Sequence, residues 1–238
     1  MRIRVVTVDN KRFHRVKQVL DRRQTDLTVC LDEVHKHHNL SAIVRTADAV
    51  GCHHVHAVWP QDQRRLTNNT SGGSKNWVET HMHDDIDQAV AAIREQNPGI
   101  QLLATNLSDE AVDFREIDYT KPTAVIVGQE RLGISDKALA HADKHIVIPM
   151  AGMVQSLNVS VAAALILYEA QRQREEAGLY DRNDMLDAEV KHKLLFEGCH
   201  PIIANRCVEK GLPYPALDDE GEIVADEAFW NTLKFKQK

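Results

Sequence analysis

Short apolar segments that recur between helical patterns are the feature that most constrains the fold. Five such segments are predicted strands: LTVCLDEV (27–34), VHAVW (55–59), IQLLATNL (100–107), TAVIVG (123–128) and KHIVIPM (144–150). Continuous apolar runs of this kind indicate parallel strands that are covered on both faces. Two helices are predicted between these strands, from HNLSAIVRTADAVG and IDQAVAAIREQ. The first is expected to be capped near Asn39 and to end at Gly51. The sequence therefore predicts an α/β fold with a mostly parallel sheet.

Both ends of the chain predict helical extensions of this sheet. Residues 10–23 place Phe13, Val16, Val19 and Leu20 at helical spacing among basic residues. Residues 187–211 predict one or two further helices, broken near 198–201, and a helix predicted from about 155 to 176 precedes them. We expect a basic N-terminal extension (1–25), a core (26–178) and a C-terminal extension (179–238).

Charge is distributed unevenly along the chain. The first 25 residues hold eight Lys or Arg against two Asp, a net of +6, so the remainder carries −12 of the total of −6. A basic segment on an acidic body is typical of a protein that contacts phosphates at one place. A solvated amphipathic helix would look the same, and composition leaves both readings open. Scattered cysteines and the lack of a signal-peptide core predict a cytoplasmic location.

Three segments carry candidate site residues. NLSAIVR contains Asn39 and Arg45, which spacing alone favours as a helix cap and a surface ion-pair partner of Asp48. VGQERLGIS (127–135) places glycines after a strand, where ligands bind in open α/β sheets, although it matches neither GxGxxG nor GxxxxGK[ST].

The third segment, IPMAGMVQSLNVSV, runs from an apolar strand into a long helix. Pro149 ends the strand, and Gly152 is expected to permit an unusual backbone. Gln155, Ser156, Asn158 and Ser160 then crowd one helix end, although a helix needs only one cap. The surplus of amide and hydroxyl groups predicts a pocket for a flat polar ligand such as adenine or ribose.

Histidines form three short clusters, at 35–38, 53–56 and 81–84. His54 and His56 would share one face of a strand, as would His81 and His83, so a metal site is conceivable. No cysteine or glutamate falls at the spacing of a known zinc motif. We therefore predict no metal.

Three segments resemble, in order, the three motifs of the SpoU class of SPOUT RNA methyltransferases. They are NLSAIVRTADAVG, IVGQERLGIS and IVIPMAGMVQSLNVSVAAALILYEAQRQR. DLTVCLDEVHKHHNLSAIVRTADAV and NLSDEAVDFREIDYTKPT extend the resemblance over most of the chain. It implies a C-terminal trefoil knot, bound S-adenosylmethionine and a homodimer. It also implies methyl transfer to the ribose 2′-oxygen of guanosine 18 of tRNA, with both extensions contacting the tRNA.

The resemblance also implies residue roles. Backbone groups would hold the cofactor at six positions: Thr105, Leu107, Gly128, Ile148, Met150 and Leu157. Glu130, Ser156 and Asn158 would shape the pocket or position the guanosine, and Asn39 would organise the first motif. Arg45 would act at the reacting ribose, in the neighbouring subunit's site, as a base or as a phosphate clamp. Three alternatives remain open: a ribosomal RNA guanosine as substrate, a non-catalytic RNA-binding protein, and a metal-dependent hydrolase that uses the histidines.

Overall fold

The computed structural model describes residues 9–34, 36–59, 74, 76–129 and 132–233. Two compact units divide the chain: a sheet unit, Arg23–Arg182, and a helical unit, which joins Met1–Arg22 to Asn183–Lys238. The elements in chain order are α1 (Asn10–Asp21), β1 (Leu27–Leu31), α2 (His37–Ala49), β2 (His54–Val58), β3 (Glu79–His83), α3 (Ile86–Gln96), β4 (Gln101–Thr105), β5 (Val112–Asp113), β6 (Thr123–Val127), α4 (Asp136–His141), β7 (Lys144–Val147), α5 (Val159–Glu176), α6 (Ala188–Cys199), α7 (Pro201–Lys210), β8 (Ala216–Leu217), β9 (Ile223–Val224) and α8 (Glu227–Thr232).

The sheet unit confirms the predicted α/β class. Its strands lie in the order β3-β2-β1-β6-β4-β7-β5, and every neighbouring pair is parallel. Every residue of β1 and β6, at the centre, is buried. Apolar side chains of α2 and α5 form the core on one face of the sheet, and those of α3 and α4 form it on the other. Coverage of both faces explains why the central strands are apolar throughout.

Helix boundaries correct two expectations. Helix α2 begins at His37, with Lys36 as its N-cap, so Asn39 lies inside the helix and is not its cap. Helix α5 begins at Val159 instead of near residue 155, because the Asn158 side chain accepts a hydrogen bond from Ser160 N (2.9 Å) and caps it. Residues 155–157 are therefore free of the helix.

Strand β3 was not among the predicted strands, because ETHMH lacks an apolar run. Its residues are partly exposed at the edge of the sheet, where a polar sequence is tolerated. The predicted loop at 67–77 lies mostly outside the described residues.

The helical unit packs α1 against α6. Phe13, Val16 and Leu20 are the buried face of α1, as its spacing predicts. Arg12 Nε donates to the Gly198 carbonyl (2.7 Å), which fixes the end of α6 to α1. Among the described residues, no helix is long and apolar enough to cross a membrane.

Arg23 does not belong to the exposed basic segment. Its side chain is fully buried in the sheet unit, where Nη2 donates to Asp48 Oδ1 (2.5 Å) and Nη1 donates to the Cys52 carbonyl (3.0 Å). Burying a guanidinium requires such partners, because an unpaired charge loses its hydration. The basic residues that α1 exposes are Lys11, Arg12, Arg15 and Lys17.

Candidate active site

A cavity of about 370 Å³ opens where three neighbouring strands end. The strands are β6, β4 and β7, and the loops that follow them enclose the cavity. Its volume lies within the range of small-molecule pockets, and the carboxyl ends of parallel strands are where open α/β sheets bind ligands. The lining residues are Thr105, Asn106, Leu107, Val127, Gly128, Gln129, Leu132, Gly133, Ile134, Ile146, Val147, Ile148, Met150, Gln155, Ser156, Leu157, Val159 and Ala162.

All six positions expected to hold the cofactor line this one cavity. They are Thr105 and Leu107 after β4, Gly128 after β6, and Ile148, Met150 and Leu157 after β7. These residues are far apart in the sequence, and the parallel sheet brings them together. Sequence reasoning missed Gln129, Leu132 and Ile134, whose segment VGQERLGIS it had marked for its glycines and Glu130.

The loop after β6 closes tightly on itself. Gln129 and Gly133 exchange two backbone hydrogen bonds, of 2.8 and 2.9 Å. A Cβ atom at Gly128 would lie 2.5 Å from Ile134 N and closer still to the Gly133 carbonyl. Only glycine therefore fits at the point where the loop leaves the strand. Gly152, in contrast, has open space around its Cα and a φ outside the left-handed region, so the unusual backbone expected there is absent.

A buried carboxylate holds the other end of this loop. Asp32, which follows β1, is 2% exposed, and its Oδ2 accepts a hydrogen bond from Ser135 N (2.7 Å). The neighbouring Glu33 has a φ of 53° and accepts from Gln129 Nε2 (2.9 Å). Sequence reasoning missed both acids, whose only signal was their position directly after a buried strand.

Two asparagines join the first and third segments. Asn39 is 1% exposed, and its Oδ1 accepts a hydrogen bond from Asn158 Nδ2 (3.2 Å). Asn158 Oδ1 also accepts from Ser160 Oγ (2.6 Å), so one side chain both caps α5 and contacts α2. Ser156 lines the cavity two residues earlier. The surplus of polar groups at this helix end thus connects two helices as well as lining a pocket.

Arg45 lies on the exposed side of α2 and does not line the cavity. The ion pair that spacing favoured with Asp48 is absent, because Asp48 binds Arg23 instead. Within the described part of the chain, Arg45 makes no ion pair, so its guanidinium is available to a ligand. Glu130 lies outside the described residues.

The cavity is lined by apolar side chains, backbone and neutral polar groups. None of the described lining residues carries a charge, and the side-chain amides come from Asn106, Gln129 and Gln155. Such a site can hold a flat, hydrogen-bonding ligand. None of its described lining residues is an acid or a base that could protonate a leaving group. The site therefore suits a ligand whose leaving group needs no such help.

Comparison with known proteins decides the family. The family model for SpoU rRNA methylases matches residues 26–168, and the model for the SpoU rRNA methylase C-terminal segment matches residues 172–226. The chain belongs to the SpoU methylase family. The matched ranges contain the first two motif segments of the sequence analysis and all of the third except residues 169–171.

Relatives of this SpoU methylase include enzymes that act on tRNA. The tRNA (guanosine(18)-2′-O)-methyltransferase of Escherichia coli K12 is 57% identical over 94% of this chain and 97% of its own length. A solved TrmH/SpoU tRNA-modifying enzyme from A. aeolicus is 46% identical, with a TM-score of 0.71 over 81% of this chain and 97% of that one. The SpoU methyltransferase AviRb of Streptomyces viridochromogenes, solved in complex with AdoMet, is 31% identical, with a TM-score of 0.55 over 66% of this chain and 62% of that one.

Proposed function

We propose that this SpoU methylase transfers a methyl group from S-adenosylmethionine to the ribose 2′-oxygen of guanosine 18 in tRNA. The observation that carries the proposal is the 57% identity to an enzyme of that name over 94% of the chain. Likeness of this extent includes both terminal extensions as well as the methylase core. A ribosomal RNA guanosine remains the second candidate, because the matching family models are named for rRNA methylases.

The cavity after β6, β4 and β7 is the proposed cofactor site. Its six expected residues converge there, and its walls supply backbone groups and neutral amides of the kind that recognise adenine and ribose. The sulfonium of S-adenosylmethionine releases a neutral thioether, which is a good leaving group. The protein therefore mainly has to align the 2′-oxygen with the methyl carbon. Proximity and orientation can contribute roughly 7–11 kcal/mol to such a step.

Arg45 is the proposed group that acts on the ribose. A guanidinium keeps its proton in proteins and is therefore a poor general base. We therefore assign Arg45 to clamping a substrate phosphate and stabilising the developing alkoxide. Its exposure and its lack of an ion pair among the described residues support this role. Asn39 and Asn158 hold α2 against the start of α5, and Ser156 and Glu130 are assigned to the guanosine side of the pocket.

A homodimer would place Arg45 in the neighbouring subunit's site. Helix α5 exposes Val161, Leu165 and Tyr168, which lie on one helical face by their spacing and are 43–53% exposed. An apolar stripe of this kind on a surface helix is typical of a subunit interface. Helix α5 packs on α2, which carries Arg45, so an interface at α5 would bring a second copy near that residue.

Four further expectations complete the proposal. We propose that the exposed basic residues of α1, together with the C-terminal helices, contact tRNA phosphates. The segment holding the second and third motifs is proposed to form a trefoil knot, which an experimental chain trace would test. We also propose a cytoplasmic location, and a methyl transfer that needs no metal and persists in the presence of a chelator.

The deciding experiment incubates the purified chain with labelled S-adenosylmethionine and unmodified tRNA transcripts, and then maps the labelled nucleotide. We expect label on the 2′-oxygen of guanosine 18. A tRNA with deoxyguanosine at that position is the matched control, because it lacks only the accepting oxygen. Label on ribosomal RNA alone would reject the tRNA assignment, and cofactor binding without transfer to either RNA would favour a binding protein.

A further inference from the structure

Imidazoles crowd the edge of the sheet formed by β2 and β3. The two strands are parallel, with His54 opposite Glu79, His56 opposite His81 and Val58 opposite His83. Because side chains alternate along a strand, His54 and His56 share one face with their partners on β3. The result is a row of histidines with a carboxylate at its beginning. This row starts at the amino ends of β2 and β3, whereas the cavity lies at the carboxyl ends of other strands.

Donor atoms at the start of the row lie close to the spacing of metal ligands. His54 Nδ1 is 3.0 Å from His81 Nε2 and 3.6 Å from Glu79 Oε2, and His81 Nε2 is 3.8 Å from the same carboxylate oxygen. A tetrahedral zinc with bonds of about 2.0–2.2 Å separates its ligand atoms by about 3.3–3.6 Å. A ligand atom of His53 also lies within 4.8 Å of ligand atoms of His54 and Glu79.

His53 provides the independent sign of a ligand. The residue is 2% exposed, and its Nδ1 atom is buried with no hydrogen-bond partner among the described residues. The ring also hydrogen-bonds the backbone of Trp77, which leaves Nδ1 as the nitrogen with an unused lone pair. Metal-bound histidines are held in this way, with one nitrogen on a backbone carbonyl and the other on the ion.

The contact between His54 and His81 is compatible with both rings binding one ion. This Nδ1–Nε2 contact holds one shared hydrogen, which tautomer exchange can move to an outer nitrogen.

We propose that His53, His54, His81 and Glu79 bind one divalent transition-metal ion, with Zn²⁺ the best match. Three imidazoles and one carboxylate suit zinc in four-coordinate geometry. The ion would tie the amino end of β2 to that of β3 and thereby stabilise the sheet edge. The sequence alone predicts no metal here, because known zinc motifs are recognised by ligands spaced along one segment of the chain. These ligands come from two strands that pair only in the fold.

The test is a calorimetric titration of chelator-treated, tag-free protein with Zn²⁺ alone. We expect one Zn²⁺ per chain and a higher Tm in its presence. Titration with Co²⁺ should give the intense visible absorption of a tetrahedral site. Glu79→Gln removes an exposed ligand without touching the core and should weaken Zn²⁺ binding about tenfold or more.

The matched control is His141→Gln. His141 also contacts a carboxylate, with Nε2 2.7 Å from Asp87 Oδ1, but no further histidine joins that pair among the described residues. The control should bind Zn²⁺ as the unmodified chain does. Three outcomes would overturn the proposal: no saturable binding, equal affinity after Glu79→Gln, or equal loss in the control.

Discussion

Replacing Gly128 with alanine should distort the cavity that we propose for the cofactor. The new Cβ would lie 2.5 Å from Ile134 N, whereas ordinary Cβ contacts begin at about 3.4 Å. The backbone at Gly133 and Ile134 must therefore move by about 1 Å. Both residues line the cavity, so the shift changes the shape of the binding site itself.

The expected magnitude follows from the cost of overpacking. Forcing an extra methyl group into a closely packed site costs about 1–3 kcal/mol. If the cost falls on the loop in its binding conformation, affinity for S-adenosylmethionine decreases about 5-fold to 150-fold. A displacement of about 1 Å near reacting groups can also lower turnover by about a hundredfold.

Calorimetry with S-adenosylmethionine measures the first effect, and methyl transfer at saturating cofactor measures the second. Gly152→Ala is the matched control, because nothing lies within 4 Å of the added Cβ and the φ there suits alanine. We expect near-normal binding in the control. Unchanged affinity in Gly128→Ala, with or without a lower Tm, would refute the link between this loop and the cofactor.

Three other changes test the proposed roles. Arg45→Lys should lose most methyl transfer while cofactor affinity is kept, because lysine lacks the planar fork of a phosphate clamp; near-normal turnover would reject the role. Lys11→Ala combined with Arg15→Ala should weaken the salt dependence of tRNA binding. The slope of the logarithm of the binding constant against the logarithm of the salt concentration should fall by about 1 per lost phosphate contact, and an unchanged slope would place the contacts elsewhere. Leu165→Glu should give a monomer by light scattering, and a persistent dimer would exclude α5 as the interface.

The sheet could be predicted from the sequence because its central strands are buried on both faces. TAVIVG admits few other interpretations, and β6 occupies Thr123–Val127 as predicted. Strand β3 could not be found in the same way, since an edge strand with polar side chains lacks the periodic signal. The start of α5 was placed too early because Gln155 and Ser156 look like helix caps, whereas they line the cavity.

The residues that we propose to hold the cofactor were predictable only through resemblance. Periodicity identifies strands, but it does not say which loops will meet at the end of a sheet. Resemblance also gave no sign of Asp32, whose hydrogen bond to Ser135 N joins residues 103 positions apart in the sequence. A buried acid directly after a strand looks like an ordinary turn residue until its partner is known. Losing the acceptor would leave the partly buried Ser135 N–H without its protein partner, which costs less than the roughly 1–3 kcal/mol of a fully buried group.

The uncharged cavity implies that cofactor binding and activation of the hydroxyl are carried out by different parts of the proposed enzyme. None of the described lining residues bears a charge, so the walls can bind and orient the sulfonium cofactor without removing a proton from the accepting hydroxyl. The proposed acting group, Arg45, lies outside those walls on the exposed side of α2. In the proposed homodimer, the site would be complete only when RNA and the second subunit supply the remaining groups. We therefore expect the cofactor to bind without RNA and to remain unreacted until the correct ribose is delivered.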